Sequence, residues 1–260
     1  MPVAFITGAN RGLGFGFAKA FLADGWSVIA AVRDPSTAND LQNLKTSYSG
    51  ALSIERCDLA DFATIDALGA TMRGRAIDLL LGNAAKTDNP ANTVGTTNYD
   101  AWADTFRINT MAQMKLAETL VESVAASAQK KMFFLSSRVG ANPPPGMVLF
   151  RSSKSALNQV VFQLSLMLKD RGITVACAHP GFVKTISTAN MGVFTADESA
   201  GHLKRIIDRL TMDDTGKFFE PDGSTLPIVT RQSNSAAFGA KAPEAWAEQK
   251  QVWDKSGMNA

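Results

Sequence analysis

The chain has 260 residues, 45% of them apolar and 19% charged, with a formal net charge of +2. That length buries a sizeable core within one α/β domain, and the composition is globular rather than fibrous or disordered. The near-neutral balance argues against nucleic acid or an anionic membrane as partner, and no apolar stretch reaches bilayer length.

Short apolar runs then alternate with amphipathic patterns along the chain. The expected order is strand 3–7, helix 12–24, strand 27–32, helix 38–46, strand 52–56, helix 62–72, strand 79–81 and a long helix 99–127. Strand 131–135, helix 152–171, strand 174–178, helix 196–211 and a short strand 217–220 follow. Continuously apolar strands interleaved with helices predict a parallel sheet covered on both faces, hence a three-layer, doubly wound α/β fold in a single domain over 1–230. Beyond it lies a tail, 231–260, with an amphipathic pattern at 243–253 that carries Trp246, Lys250 and Trp253 on one side. The stretches 86–98 and 186–195 read as irregular loops at strand ends, the side where such sheets bind ligands. Cys57 and Cys177 lie in apolar surroundings and read as reduced, buried thiols. With an N-terminus that lacks a basic start and a cleavage pattern, they suit a cytoplasmic protein.

The first strand runs into Thr7-Gly8-Ala9-Asn10-Arg11-Gly12-Leu13-Gly14. Glycines allow a tight turn and close approach of backbone to a pyrophosphate, and the following helix offers free N–H groups and its positive dipole end. The spacing is not strict G-x-G-x-x-G, and a plain strand-to-helix turn is the bland alternative. The second strand ends Ala31-Val32-Arg33-Asp34. An acid at Val32 would bond both ribose hydroxyls of NAD. A neutral residue followed by Arg33, with Arg11 in the turn, favours the 2′-phosphate of NADP(H).

At this point the residues match a family. The Thr7-Gly8-x-x-x-Gly12-x-Gly14 turn resembles that of the short-chain dehydrogenases/reductases, and the likeness extends over residues 1–230. It implies that Gly8, Asn10, Arg11, Gly12, Leu13 and Gly14 hold the pyrophosphate and that Asp58 and Leu59 hold the adenine. Asn83 and Ala84 follow the fourth strand where the family shows Asn-Asn-Ala-Gly, with Gly82 and Ala85 as departures. Pro180, Gly181, Val183 and Thr185 match the segment beside the nicotinamide. Arg33-Asp34-Pro35, Tyr99-Asp100-x-Trp102, His179-Pro180-Gly181 and Asp222-Gly223 resemble the carbonyl-reductase and C-factor-like branch. The same resemblance implies a small-molecule substrate and a homodimer or homotetramer.

Catalytic roles follow from the resemblance too. Ser137 bonds the substrate oxygen, Asn109 holds a water, and Lys154 bonds the nicotinamide ribose and lowers the pKa of a tyrosine four residues earlier. That position here is Phe150, in Phe150-Arg151-Ser152-Ser153-Lys154. A reduced carbonyl needs a proton on oxygen as hydride reaches carbon, and a phenyl ring has none to give. Phe150 therefore reads in three ways. It is an engineered, inactivating Tyr→Phe change in an ordinary reductase. Or it belongs to an enzyme that needs no tyrosine, such as an imine or iminium reductase, with Arg138 as a candidate to polarise a substrate oxygen. Or the scaffold has become a non-redox enzyme or an NADP(H)-binding sensor.

Among the remaining residues, 142–146 is a proline-rich stretch that reads as a stiff wall or a rigid surface turn. His179 reads as a packed residue and His202 as a surface one, with no cluster that would hold a metal.

Overall fold

The computed structural model of the chain describes residues 1–87, 94–138, 147–185, 188 and 190–228. The proline-rich stretch 142–146, the centre of the 86–98 loop, part of 186–195 and the tail 231–260 lie outside the described residues.

An eight-stranded sheet forms the middle layer: β1 (Val3–Thr7), β2 (Ser27–Val32), β3 (Leu52–Arg56), β4 (Leu79–Gly82), β5 (Lys131–Leu135), β6 (Thr174–Ala178), β7 (Phe218–Phe219) and β8 (Thr225–Leu226). Their order is β3-β2-β1-β4-β5-β6-β7-β8, parallel throughout except for β8, which pairs antiparallel with β7. Strands β4, β5 and β6 are buried along their whole length, which is why their sequences read as apolar runs interrupted only by Lys131 and Thr174 at the first positions of β5 and β6.

Helices α1 (Gly12–Ala23), α2 (Asn39–Ser47) and α7 (Ala196–Arg209) cover one face, where Phe17, Phe21, Leu41 and Leu203 pack on Val28, Ala30 and Leu81. Helices α3 (Phe62–Met72), α4 (Tyr99–Phe106), α5 (Ala112–Ala125) and α6 (Val148–Met167) follow the other strands. From α3, α5 and α6, Ile65, Leu116, Leu157 and Val161 pack on Phe5, Leu80 and Phe134 on the opposite face. The chain reverses direction across the sheet between β1 and β4. Strand ends diverge there, and a crevice opens at their carboxyl ends. The described residues 1–228 form one compact unit.

Three expectations shift. The predicted helix 99–127 is interrupted at Arg107–Met111 by a π-helical turn, so α4 and α5 are separate elements. Helix α6 begins at Val148, earlier than the expected 152, and so carries Phe150 and Lys154 on consecutive turns. The two-residue strand β8 was not expected, because so short an edge strand leaves no periodicity to read.

Candidate functional site

The turn after β1 is built for a close ligand. Gly8 and Gly12 take φ +66° and +53°, which side chains disfavour. A Cβ on Gly14 would stand 2.2 Å from the Gly8 carbonyl oxygen and 2.6 Å from Asn83 Nδ2. Arg11 caps α1 without a side-chain hydrogen bond, so the first N–H groups of the helix are left to a ligand. Asn10 and Leu13 are half-buried beside it, and Leu13 packs on the core. This cradle fits a dinucleotide pyrophosphate.

Asn83 braces the turn. Its Nδ2 donates to the Thr7 carbonyl at 2.8 Å, while the backbone N–H groups of Asn83 and Ala84 donate to Thr7 Oγ1 at 3.0 and 3.1 Å. The end of β4 is thereby locked to the turn after β1. Across the crevice, Thr185 Cγ2 would lie 3.6 Å from a Cβ on Gly12, so the structure brings these two sites together. Gly181 takes φ +81°, where a Cβ would strike the Phe194 ring at 2.8 Å. The Pro180 carbonyl accepts from Ser199 Oγ at 2.6 Å, and the buried Val183 bridges to Phe194.

At the end of β2, Arg33 is exposed, as is Arg11. The neighbouring Asp34 is turned to its own loop, accepting from Ser36 N and Oγ at 2.9 and 2.6 Å. After β3, Asp58 is half-buried and accepts from Ala60 N at 3.0 Å. Leu59 is packed into the core, so only its backbone can face a ligand.

Ser137 is buried just beyond β5. Lys154 is only 3% exposed and donates from Nζ to the Leu135 carbonyl at 2.8 Å. Burial pulls its pKa down to about 8, with the nearby Cys177 acting weakly the other way. The Phe150 ring lies with its centroid 5.8 Å from Lys154 Nζ, one helical turn away. The position four residues before the lysine thus presents a ring and no hydroxyl.

Asn109 lies within the π-turn and is fully buried. Its Oδ1 accepts from Lys86 N at 2.7 Å, and its Nδ2 donates to Lys86 O and to Ser153 Oγ at 2.9 and 3.0 Å. The side chain thus ties the loop after β4 to α6. Gln113 Nε2 donates to the carbonyls of Ala84 and Ile108, which links the same loop to the π-turn.

Arg138 is held by Glu220, with Nε on Oε1 at 3.0 Å and Nη2 on Oε2 at 2.9 Å. The arginine side chain is 59% exposed and the carboxylate only 7%. The two-point bond raises the guanidinium pKa still further. Two of its nitrogens are therefore engaged within the protein. His179 is packed beside this pair, its Nδ1 buried without a partner among the described residues and its pKa lowered by burial. His202 packs edge-on against Phe194. Both cysteines are free and buried, and burial pushes the Cys57 thiol up to about 12.

Glu220, Gln113 and Ser153 escaped sequence reading. Their partners lie 82, 29 and 44 residues away, and nothing local marks them.

The short chain dehydrogenase family profile matches residues 2–194. The chain belongs to that family. An uncharacterized oxidoreductase of Schizosaccharomyces pombe is 28% identical over 250 residues, covering 86% of this chain and 97% of that protein. The C-signal protein of Myxococcus xanthus is 29% identical over 154 residues, 58% of this chain and 92% of its own length. Among solved structures, the NADPH-bound carbonyl reductase from chicken fatty liver superposes with a TM-score of 0.80 at 27% identity, covering 87% of this chain and 99% of that one. The chain is therefore an oxidoreductase-type member of the family, similar to carbonyl reductases. Among the described residues no helix is long and apolar enough to cross a membrane.

Proposed function

We propose that this chain is an NADP(H)-dependent oxidoreductase acting between a small carbonyl and its alcohol, with Phe150 in place of the family's proton-donating tyrosine. The observation that carries this reading is the glycine cradle, braced by Asn83 and facing Thr185, with Lys154 buried behind Phe150. NADP(H), when bound, supplies or takes up the hydride. The turn from Gly8 to Gly14 would hold its pyrophosphate, and Arg11 and Arg33 its 2′-phosphate. Asp58 and Leu59 would border the adenine. Asn83, Ala84, Pro180, Gly181, Val183 and Thr185 would border the nicotinamide end. Lys154 would donate to the ribose, and Ser137 to the substrate oxygen.

Phe150 leaves the substrate heteroatom without the family's acid. Glu220 occupies Arg138, and Asn109 is used up by Lys86 and Ser153. These observations favour a second reading, reduction of an imine or iminium. An iminium carbon that accepts hydride becomes a neutral amine with no proton required. The same reading takes the protein as a cytoplasmic homodimer or homotetramer, with the exposed Tyr99, Met111 and Val148 as the apolar surface a second copy would cover.

The test follows NADPH oxidation against aldehydes, ketones and cyclic imines, by the chain as it stands and by Phe150→Tyr. A positioned general acid contributes on the order of 10²–10⁴-fold, so the tyrosine variant is expected to gain about that much on carbonyls and little on iminium substrates. A phenylalanine form that reduces ketones as fast as the tyrosine form contradicts the role given to residue 150. If both forms bind NADPH and neither turns over, the reading gives way to a sensor or a non-redox enzyme.

A further inference from the structure

The end of β3 lies beside the end of β2, and the register pairs Val32 directly with Arg56. Partners in a parallel pair project to the same face, with strands about 4.8 Å apart. The alternation along each strand agrees. Val28, Ala30 and Val32 of β2 and Leu52 and Ile54 of β3 all pack into the core layer under α1 and α2. Arg56 continues that row to the crevice edge, where it is exposed. Val32 occupies the position from which an acid would meet the ribose hydroxyls of NAD. Its cross-strand neighbour is therefore a guanidinium directed to the same place.

A second observation agrees. The Asp34 carboxyl is held below its usual range, first by the two Ser36 donors and further by the charges of Arg56 and Arg33. Both guanidinium groups thus lie within electrostatic reach of one point just past β2. Asp34 forms no ion pair with either, and neither Arg33 nor Arg56 makes a side-chain hydrogen bond among the described residues.

We infer that Arg56 is a specificity residue for the cofactor, closing with Arg33 on the 2′-phosphate from the β3 side. The inference rests on the NADP(H) reading above and names a residue that the sequence did not mark. A guanidinium matches a phosphate with two parallel hydrogen bonds, while the free 2′-hydroxyl of NADH offers no such charge. Arg56 therefore contributes to NADPH affinity and nothing to NADH affinity.

The test is direct titration, read by quenching of intrinsic fluorescence, for wild type, Arg56→Gln and Arg33→Gln with NADPH and NADH. Competition by adenosine 2′,5′-bisphosphate and by adenosine 5′-monophosphate repeats the comparison without the nicotinamide half. Loss of one charge-assisted contact weakens binding by about tenfold or more. Arg56→Gln is expected to weaken NADPH and the bisphosphate by that factor and to leave NADH and the monophosphate unchanged. Its exposed position should leave the melting temperature unmoved. A wild type that prefers NADPH, with Arg56→Gln indistinguishable from it, overturns the inference and leaves the cofactor reading standing. A wild type that does not distinguish NADPH from NADH overturns both.

Discussion

Lys154 is the residue on which the site's chemistry and its stability meet. Burial disfavours its ammonium, so its folded pKa of about 8 lies below that of an exposed lysine. The folded chain carries the resulting penalty in full below that pKa. As pH rises from about 8 toward the exposed-lysine range, the unfolded chain holds the extra proton, so Lys154 costs less stability. Comparison with Lys154→Met isolates this effect. Between pH 7 and pH 10 the melting temperature of wild type should gain a few degrees on that of the variant. A constant gap would mean that the lysine is not desolvated. Lys154 stood out in the sequence because it closes the local run Phe150-Arg151-Ser152-Ser153-Lys154. Arg138 is, in sequence, a candidate to polarise a substrate oxygen, and nothing near it marks the carboxylate that holds it, 82 residues on.

At the scale of elements, the turn after β1 and the π-turn between α4 and α5 do different work. Gly14→Ala places a methyl within 2.2 Å of the Gly8 carbonyl and against Asn83 Nδ2, so the turn must shift. NADPH affinity should fall at least tenfold, measured by titration, with a smaller loss of thermal stability. Unchanged affinity would remove the cradle from the site. Asn109→Ala strips partners from the N–H and carbonyl of Lys86. Each of these part-buried hydrogen bonds is worth about 1 kcal/mol, and urea denaturation should show a loss of about 2 kcal/mol. The glycines of the first turn could be read in sequence because they act through their own backbone. The π-turn could not, since it coincides with a side chain bonded to a backbone 23 residues earlier. The periodicity on both sides of it is ordinary helix, which is why one long helix was expected.

For the whole molecule, the apolar strand runs and their alternation with helices were enough to give a parallel, doubly wound sheet. Each strand buried on both faces records that burial locally in its composition. The antiparallel β8 and the pairing of Arg56 with Val32 were hidden, because register is a relation between strands and has no signal in either one alone. At this scale the exposed Tyr99, Met111 and Val148 predict an assembly. Light scattering should return the mass of a dimer or tetramer, and a monomer at micromolar concentration would refute it.

The most direct measurement is a calorimetric titration of the purified chain with NADPH and, separately, with NADH. The expected result is one site per chain, sub-millimolar for NADPH and weaker for NADH. No binding of either would contradict a nicotinamide site in this crevice, and with it the oxidoreductase reading of Lys154, Ser137 and Phe150.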